Sequence, residues 1–259
     1  MAAQKGERQH TAADHPVAPD SSEQYEIVLY GAQTCPFSQR ARIAVDSKGL
    51  KYEYRETDPY AKPEDLLAHN PRGAVPTLVH NGKSVYESLV VVEYVDEAWP
   101  GDVHGPTLHF LPKRDVHLRA LARIWTTFVQ DKLVRGFFDL LAAQDESEQE
   151  ALKTKLLDSL REWTKAAAEI QSSPASGPFF MGEHFGIVDI AFLPFAVRFP
   201  ALEHYRGFTV PDTDEFAVYH TWLKAASALP SVQSAMPSEK EVIDFYSKYA
   251  KRDATWREP

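Results

Sequence analysis

The chain has 259 residues, 44% hydrophobic and 12% aromatic, enough to bury one large core or two modest ones and too apolar for disorder throughout. A formal charge of −9, with no clustered run of Lys and Arg, excludes a nucleic-acid surface that tracks phosphates. The single cysteine excludes an intrachain disulfide and a cysteine-rich zinc site, and fits a reducing, cytoplasmic setting with no metal.

Residues 1–24 are polar and rich in Ala, Pro and Ser, and they lack the roughly 7–15-residue apolar segment of a signal peptide. They read as a flexible arm outside the fold. No later window approaches a membrane span, so no membrane partner is expected. EIVLY (26–30) is a short apolar run suited to a buried strand, and PFSQRARIAVDSKG reads as a helix opening with Pro36 at its first position and closing at Gly49. KYEYRET then alternates as a strand, and KPEDLLAHN is a short helix that stops before Pro71. VPTLVH and KSVYE flank Asn81-Gly82, a strong signal for a tight hairpin, and SLVVVEYVDEAW has helical length with Ser88 as its N-cap. The order β-α-β-α-β-β-α over residues 25–99 is the α/β architecture of thioredoxin-like domains.

Residues 100–111, PGDVHGPTLHFL, break all periodicity and mark a linker. From 112 to 259 the pattern is helical. Leu118, Leu121, Trp125, Phe128 and Val129, then Leu133, Phe137 and Leu141, recur at three- to four-residue spacing, as do Leu152, Leu156, Leu160, Trp163, Ala167 and Ile170. GIVDIAFLPFAVRF is more uniformly apolar and suits the centre of a second, all-α core. Gly186 stands at its N-cap position three residues before Asp189, so the cap contributes no side-chain bond.

The chemistry centres on Cys35. A thiol reacts as its thiolate, and the start of a helix favours that form through unpaired N–H groups and the helix dipole. The competing account is that cysteine packs as a small hydrophobe. Dithiol oxidoreductases carry Cys-x-x-Cys, but here the fourth position is Ser38, so a disulfide formed by Cys35 needs an external thiol to release it. Glutathione is the natural lender. Its backbone would pair with Val75 ahead of a cis Pro76, and its charged γ-glutamyl end would meet Glu87 and Ser88 at the next strand-to-helix junction. A turn proline and a plain helix cap are the alternative accounts of those residues.

CPFSQRARIA, KPEDLLAHNPRGAVPTL and YESLVVVEYVDEAWPG, in this order and joined by a proline-containing linker to a helical unit, resemble the glutathione transferase family and its omega class. The resemblance implies a glutathione transferase fold, with Cys35 forming a mixed disulfide with glutathione as co-substrate. It implies glutathione contacts at Phe37, Lys62, Val75, Pro76, Glu87 and Ser88. It also implies a second-substrate pocket in the helical domain at Arg198, Trp222, Trp125 and Phe128, although aromatics at helical spacing such as Trp125 and Phe128 are usually core. The activity implied is that of a thioltransferase or reductase, acting on mixed disulfides, dehydroascorbate or S-glutathionylated ketones and quinones, in a homodimer. Two alternatives stay open. One is conjugation of glutathione to an electrophile, which usually relies on a Ser or Tyr. The other is a non-catalytic ligand-binding or channel-like relative, since CPFSQR also resembles the chloride intracellular channel proteins.

Overall fold

The computed structural model describes residues 27–58, 61–100, 109–171 and 177–252. The expected arm at 1–24 and most of the expected linker, 101–108, lie outside the described residues. The first unit is a four-stranded sheet in the order β2-β1-β3-β4, formed by β1 (Ile27–Gly31), β2 (Glu53–Glu56), β3 (Thr77–His80) and β4 (Lys83–Tyr86). β1 runs parallel to β2 and antiparallel to β3, and β3 pairs antiparallel with β4. The helices are α1 (Pro36–Ser47), α2 (Glu64–His69) and α3 (Ser88–Ala98). Every residue of β1 is buried because both faces of the strand are covered. Side chains alternate across it, so Ile27 and Leu29 enter the main core with Ala41, Ala44, Val91 and Val95, while Val28 and Tyr30 pack with Leu66 of α2 and Val79. Gly49 and the Asn81-Gly82 pair take positive φ (64°, 49° and 75°), the conformations that a helix stop and a tight hairpin require.

The second unit is all helical: α4 (Val116–Phe128), α5 (Arg135–Ala142), α6 (Glu146–Ile170), α7 (Ile187–Ala196), α8 (Phe199–Arg206), α9 (Ala217–Ser227), α10 (Pro230–Gln233) and α11 (Glu239–Ala250). Between α4 and α5 the chain takes a π-helical path over Val129–Val134. In an α-helix a four-residue repeat drifts by about 40° per step, and the wider π turn offsets that drift. Val129, Leu133, Phe137 and Leu141 are accordingly all fully buried. α7 is buried along its whole length, as its uniform apolar sequence implies.

Gly186 caps α7 without a side-chain bond, as expected, yet half of the capping box survives: the Gly186 N–H donates to Asp189 Oδ2 at 2.8 Å. The glycine has a steric reason, because a Cβ there would lie 2.9 Å from the Phe110 carbonyl oxygen. That carbonyl accepts from the Ile187 N–H (2.9 Å), and Asp96 of α3 accepts from the N–H groups of Phe110 and Leu111 and from Lys48 Nζ (2.8 Å). One buried carboxylate thus ties α1, α3 and the entry to the helical unit together.

Candidate functional site

Strand register gathers the expected residues at one end of the sheet. Tyr30 pairs with Thr77, and Thr77 with Tyr86. The turn leaving β1 toward Cys35, the Val75-Pro76 entry to β3 and the Glu87 exit from β4 are therefore neighbours. Gly31 pairs with Glu56 of β2, so the segment that leads on to Lys62 starts from the same end.

Cys35 is a free, half-buried thiol at the N-cap of α1, with Pro36 following it and no side-chain cap bond. Its backbone is fixed on both sides: its N–H donates to the Ala32 carbonyl and its own carbonyl accepts from the Gln39 N–H, each at 3.0 Å. Ser38, which replaces a second cysteine, is buried and its Oγ accepts from the Ala32 N–H at 3.1 Å. The next two residues reach the helical unit. Arg40 donates through Nε (3.0 Å) and Nη2 (2.6 Å) to the Ala191 carbonyl of α7, and through Nη1 to Gln130 Oε1 (3.1 Å) and Ser88 Oγ (3.3 Å). Its guanidinium also lies over Phe37 and Phe195. Complete burial pushes its pKa down to about 9, with the negative character of Cys35 acting in the opposite direction.

The Val75-Pro76 peptide is cis, as the sequence led us to expect, and Val75 makes no backbone hydrogen bond among the described residues. The turn before it is built around Asn70, fully buried, whose Nδ2 donates to the Ala74 carbonyl (3.1 Å) and Thr77 Oγ1 (3.0 Å), and whose Oδ1 accepts from the Arg72 N–H (3.1 Å). Lys62, with φ of 44°, lays its stem across Gly73 in this turn. Glu87 corrects the expected cap: Glu87, with φ of 70°, is the N-cap of α3, and Ser88 is the first helical residue. The Ser88 hydroxyl accepts from Arg40 in place of capping, and the exposed Glu87 accepts from Arg72 Nη1 at 3.0 Å.

The helical unit revises the expected second-substrate pocket. Trp222 is fully buried, stacked on Phe192 at 5.0 Å, with Nε1 donating to Asp189 Oδ1 at 2.7 Å, so it is a core residue and lines no open pocket. Burial raises the Asp189 pKa to about 6, against the N–H groups of Phe180 and Gly186 and the Trp222 indole, which lower it. Arg198 is also fully buried: Nη2 donates to the Thr34 carbonyl at 2.9 Å and Nη1 to Gln39 Oε1 at 2.5 Å and to the Pro194 carbonyl. It grips the cysteine turn where a substrate contact was expected. Trp125 and Phe128 are half-buried and pack on each other at 4.9 Å, with Trp125 also against Phe180. Phe37 sets its ring edge-on to Phe195 at 5.4 Å, at the seam between the units.

Sequence reasoning missed Asn70, Arg72 and Arg40. Arg40 carried a legible signal, since it falls three and four residues before Ile43 and Ala44 on the buried stripe of α1, where a charged side chain needs an internal partner. Among the described residues no group of three or more His, Cys, Asp or Glu could hold a metal ion, and no helix is long and apolar enough to cross a membrane.

Residues 29–102 match the family described as glutathione S-transferase, N-terminal domain, and residues 146–225 the C-terminal domain of the same family. The chain is 35% identical over 228 residues to glutathione S-transferase U19 of Arabidopsis thaliana, covering 88% of this chain and 97% of that one. Solved structures that share its fold include the following three. Glutathione transferase Omega 3C from Trametes versicolor has a TM-score of 0.76 at 31% identity, over 88% of this chain and 91% of that one. The tau class glutathione S-transferase from mango, Mangifera indica, has 0.77 at 30%, over 88% and 99%. Rice GST1 in complex with glutathione has 0.76 at 33%, over 90% and 100%. The sequence relatives are mostly of the tau class, and likeness to the omega structure and to the tau structure is equally strong, so the omega class expected from the sequence is not confirmed.

Proposed function

This chain belongs to the glutathione S-transferase family, and on that premise we propose that it binds glutathione at the shared end of β1, β3 and β4 and uses Cys35 as a nucleophile toward glutathionyl disulfides, in the manner of a cysteine-type, omega-like thioltransferase. The observation that carries this reading is the placement of the chain's single thiol, half-buried at the N-cap of α1, beside the unpaired backbone of Val75. An extended tripeptide can pair with that backbone. The ammonium of Lys62 flanks the turn as a partner for a carboxylate, and Glu87, which already accepts from Arg72, has oxygen lone pairs left for the γ-glutamyl ammonium. The Cys35 thiolate attacks the glutathionyl sulfur of a mixed disulfide, and the substrate thiolate leaves and takes up a proton. The thiolate of a second glutathione then attacks the sulfur of the bound glutathionyl group, yielding glutathione disulfide and restoring the Cys35 thiolate. With Ser38 committed to the Ala32 N–H and no second cysteine in the chain, release falls to that external thiol.

A second reading, conjugation of glutathione to an electrophile, is favoured by the likeness to S-transferases of the tau class. In that chemistry the residue at position 35 only stabilises the glutathione thiolate, for which a thiol is a weak donor and a hydroxyl a better one. The two readings separate on one pair of proteins. Wild type incubated with glutathione disulfide should gain one glutathionyl adduct by intact mass and reduce a mixed disulfide, and Cys35→Ser should lose both. No adduct on wild type, with aryl halide conjugation unchanged by Cys35→Ser, would refute thiol transfer and leave conjugation. A homodimer belongs to the proposal as the resemblance implies it. A sedimentation coefficient of a single chain would refute it.

A further inference from the structure

Arg198 sits in the helical unit between α7 and α8, 163 positions from the thiol in sequence, yet it bonds to the peptide unit immediately before Cys35. Its Nη2 donates to the Thr34 carbonyl, and its Nη1 donates to Gln39, whose own N–H holds the Cys35 carbonyl. Both peptide units flanking Cys35 are thereby pinned, leaving side-chain rotation as its main freedom. We propose that Arg198 is a positioning residue for Cys35: anchored in the helical unit, its guanidinium fixes the Thr34–Cys35 turn and sets a buried positive charge behind the thiol. The inference rests on the reading of Cys35 as the reacting group.

The charge has no other counterpart. Every acceptor that Arg198 meets is neutral, and among the described residues no carboxylate pairs with it or with Arg40. Among the described residues, the ionisable groups that face Cys35 are Arg40 on α1, Tyr54 on β2, Arg198 itself and Tyr246 on α11. Burial raises both tyrosines, which keeps them neutral, so neither offers an anion to the two guanidinium groups. The lining points the same way: Gln39 Nε2 is a buried donor without a hydrogen-bond partner, and the neutral Tyr246 hydroxyl faces Arg198. A cluster rich in donors and poor in acceptors stabilises negative charge beside it.

The test is alkylation of Cys35 by iodoacetamide, followed by intact mass from pH 5 to 9, which reads the sulfur directly and needs no turnover. Arg198→Met removes the charge. Gln39→Glu keeps the shape but sets a carboxylate against Arg198 Nη1 and neutralises it. In each variant the alkylation rate at pH 7 should fall about tenfold and the whole profile should move to higher pH, as expected when a nearby opposite charge is lost. A purely structural role would lower the thermal midpoint without moving the profile, and a wild-type profile in either folded variant overturns the proposal. If Arg198→Met fails to fold, Arg198→Gln, which keeps an amide donor but no charge, decides, because the carboxylate of Gln39→Glu itself opposes a nearby thiolate whatever Arg198 does. Wild-type protein that takes no glutathionyl adduct, alongside displaced profiles in the variants, would sink the thiol-transfer reading and leave the role of Arg198 standing.

Discussion

Trp222→Phe separates a core tryptophan from a substrate-lining one, and its cost should depend on pH. The indole Nε1 donates at 2.7 Å to the buried Asp189, whose pKa is raised to about 6 from an ordinary 3.8. The folded carboxyl therefore holds its proton more tightly than the unfolded one, so its contribution is fully present below about pH 4 and is lost as pH rises through about 6. Two pK units correspond to about 3 kcal/mol between those limits. At pH 8 Asp189 is ionised, and losing a hydrogen bond to a charged acceptor costs about 1.5–3 kcal/mol, with about 1 kcal/mol more for the void left by the larger ring. At pH 5 the carboxyl is protonated and the same bond contributes only about 0.5–1.5 kcal/mol. Urea denaturation should therefore give a loss of about 2.5–4 kcal/mol at pH 8 and about 1.5–2.5 kcal/mol at pH 5, with KM for the second substrate unchanged. Equal losses at both pH values would refute the link to Asp189, and a large change in KM with stability intact would restore Trp222 to the pocket.

Gly186→Ser tests the steric account of the missing cap. A serine hydroxyl there should recover a few tenths of a kcal/mol of capping, but its Cβ would press to 2.9 Å from the Phe110 carbonyl, so a net loss of about 1–2 kcal/mol is expected in the same denaturation assay; a gain would show that the linker yields freely. Asn70→Ala removes three side-chain hydrogen bonds from the turn before Pro76 and should lower stability by about 2–3 kcal/mol. It should also raise KM for glutathione more than it lowers kcat, and an unchanged KM would detach this turn from the glutathione site.

The first unit was largely legible because its signals are local. Pro36 after the unique cysteine, Asn81-Gly82 between two short strands and Val75-Pro76 before the third are each set by a few adjacent residues, and the register of four strands brings them to one end of the sheet. The cap of α3 was misplaced by one residue because serine is a strong N-cap by type, whereas its hydroxyl here answers to Arg40, 48 positions away. The same limit explains Arg198 and Trp222. Helical periodicity says that both face inward, but their partners are a carbonyl of the cysteine turn and a carboxylate of α7, and no spacing within one helix encodes those pairings.

Ser38, Gln39 and Arg40 make the consequence concrete. They are consecutive in sequence and all buried, and each is held by a different part of the molecule: Ser38 by the turn that carries Cys35, Gln39 by Arg198, and Arg40 by the α7 backbone and Gln130. The first turns of α1 are thus both the support of the thiol and the seam between the two units. The proposed glutathione side of the site is built almost entirely from the thioredoxin-like unit, whereas the backing of the thiol is not. Binding of glutathione and reactivity of the sulfur then have separate structural sources. Changes at Asn70 should act on the first with little effect on the second, and changes at Arg198 should do the reverse.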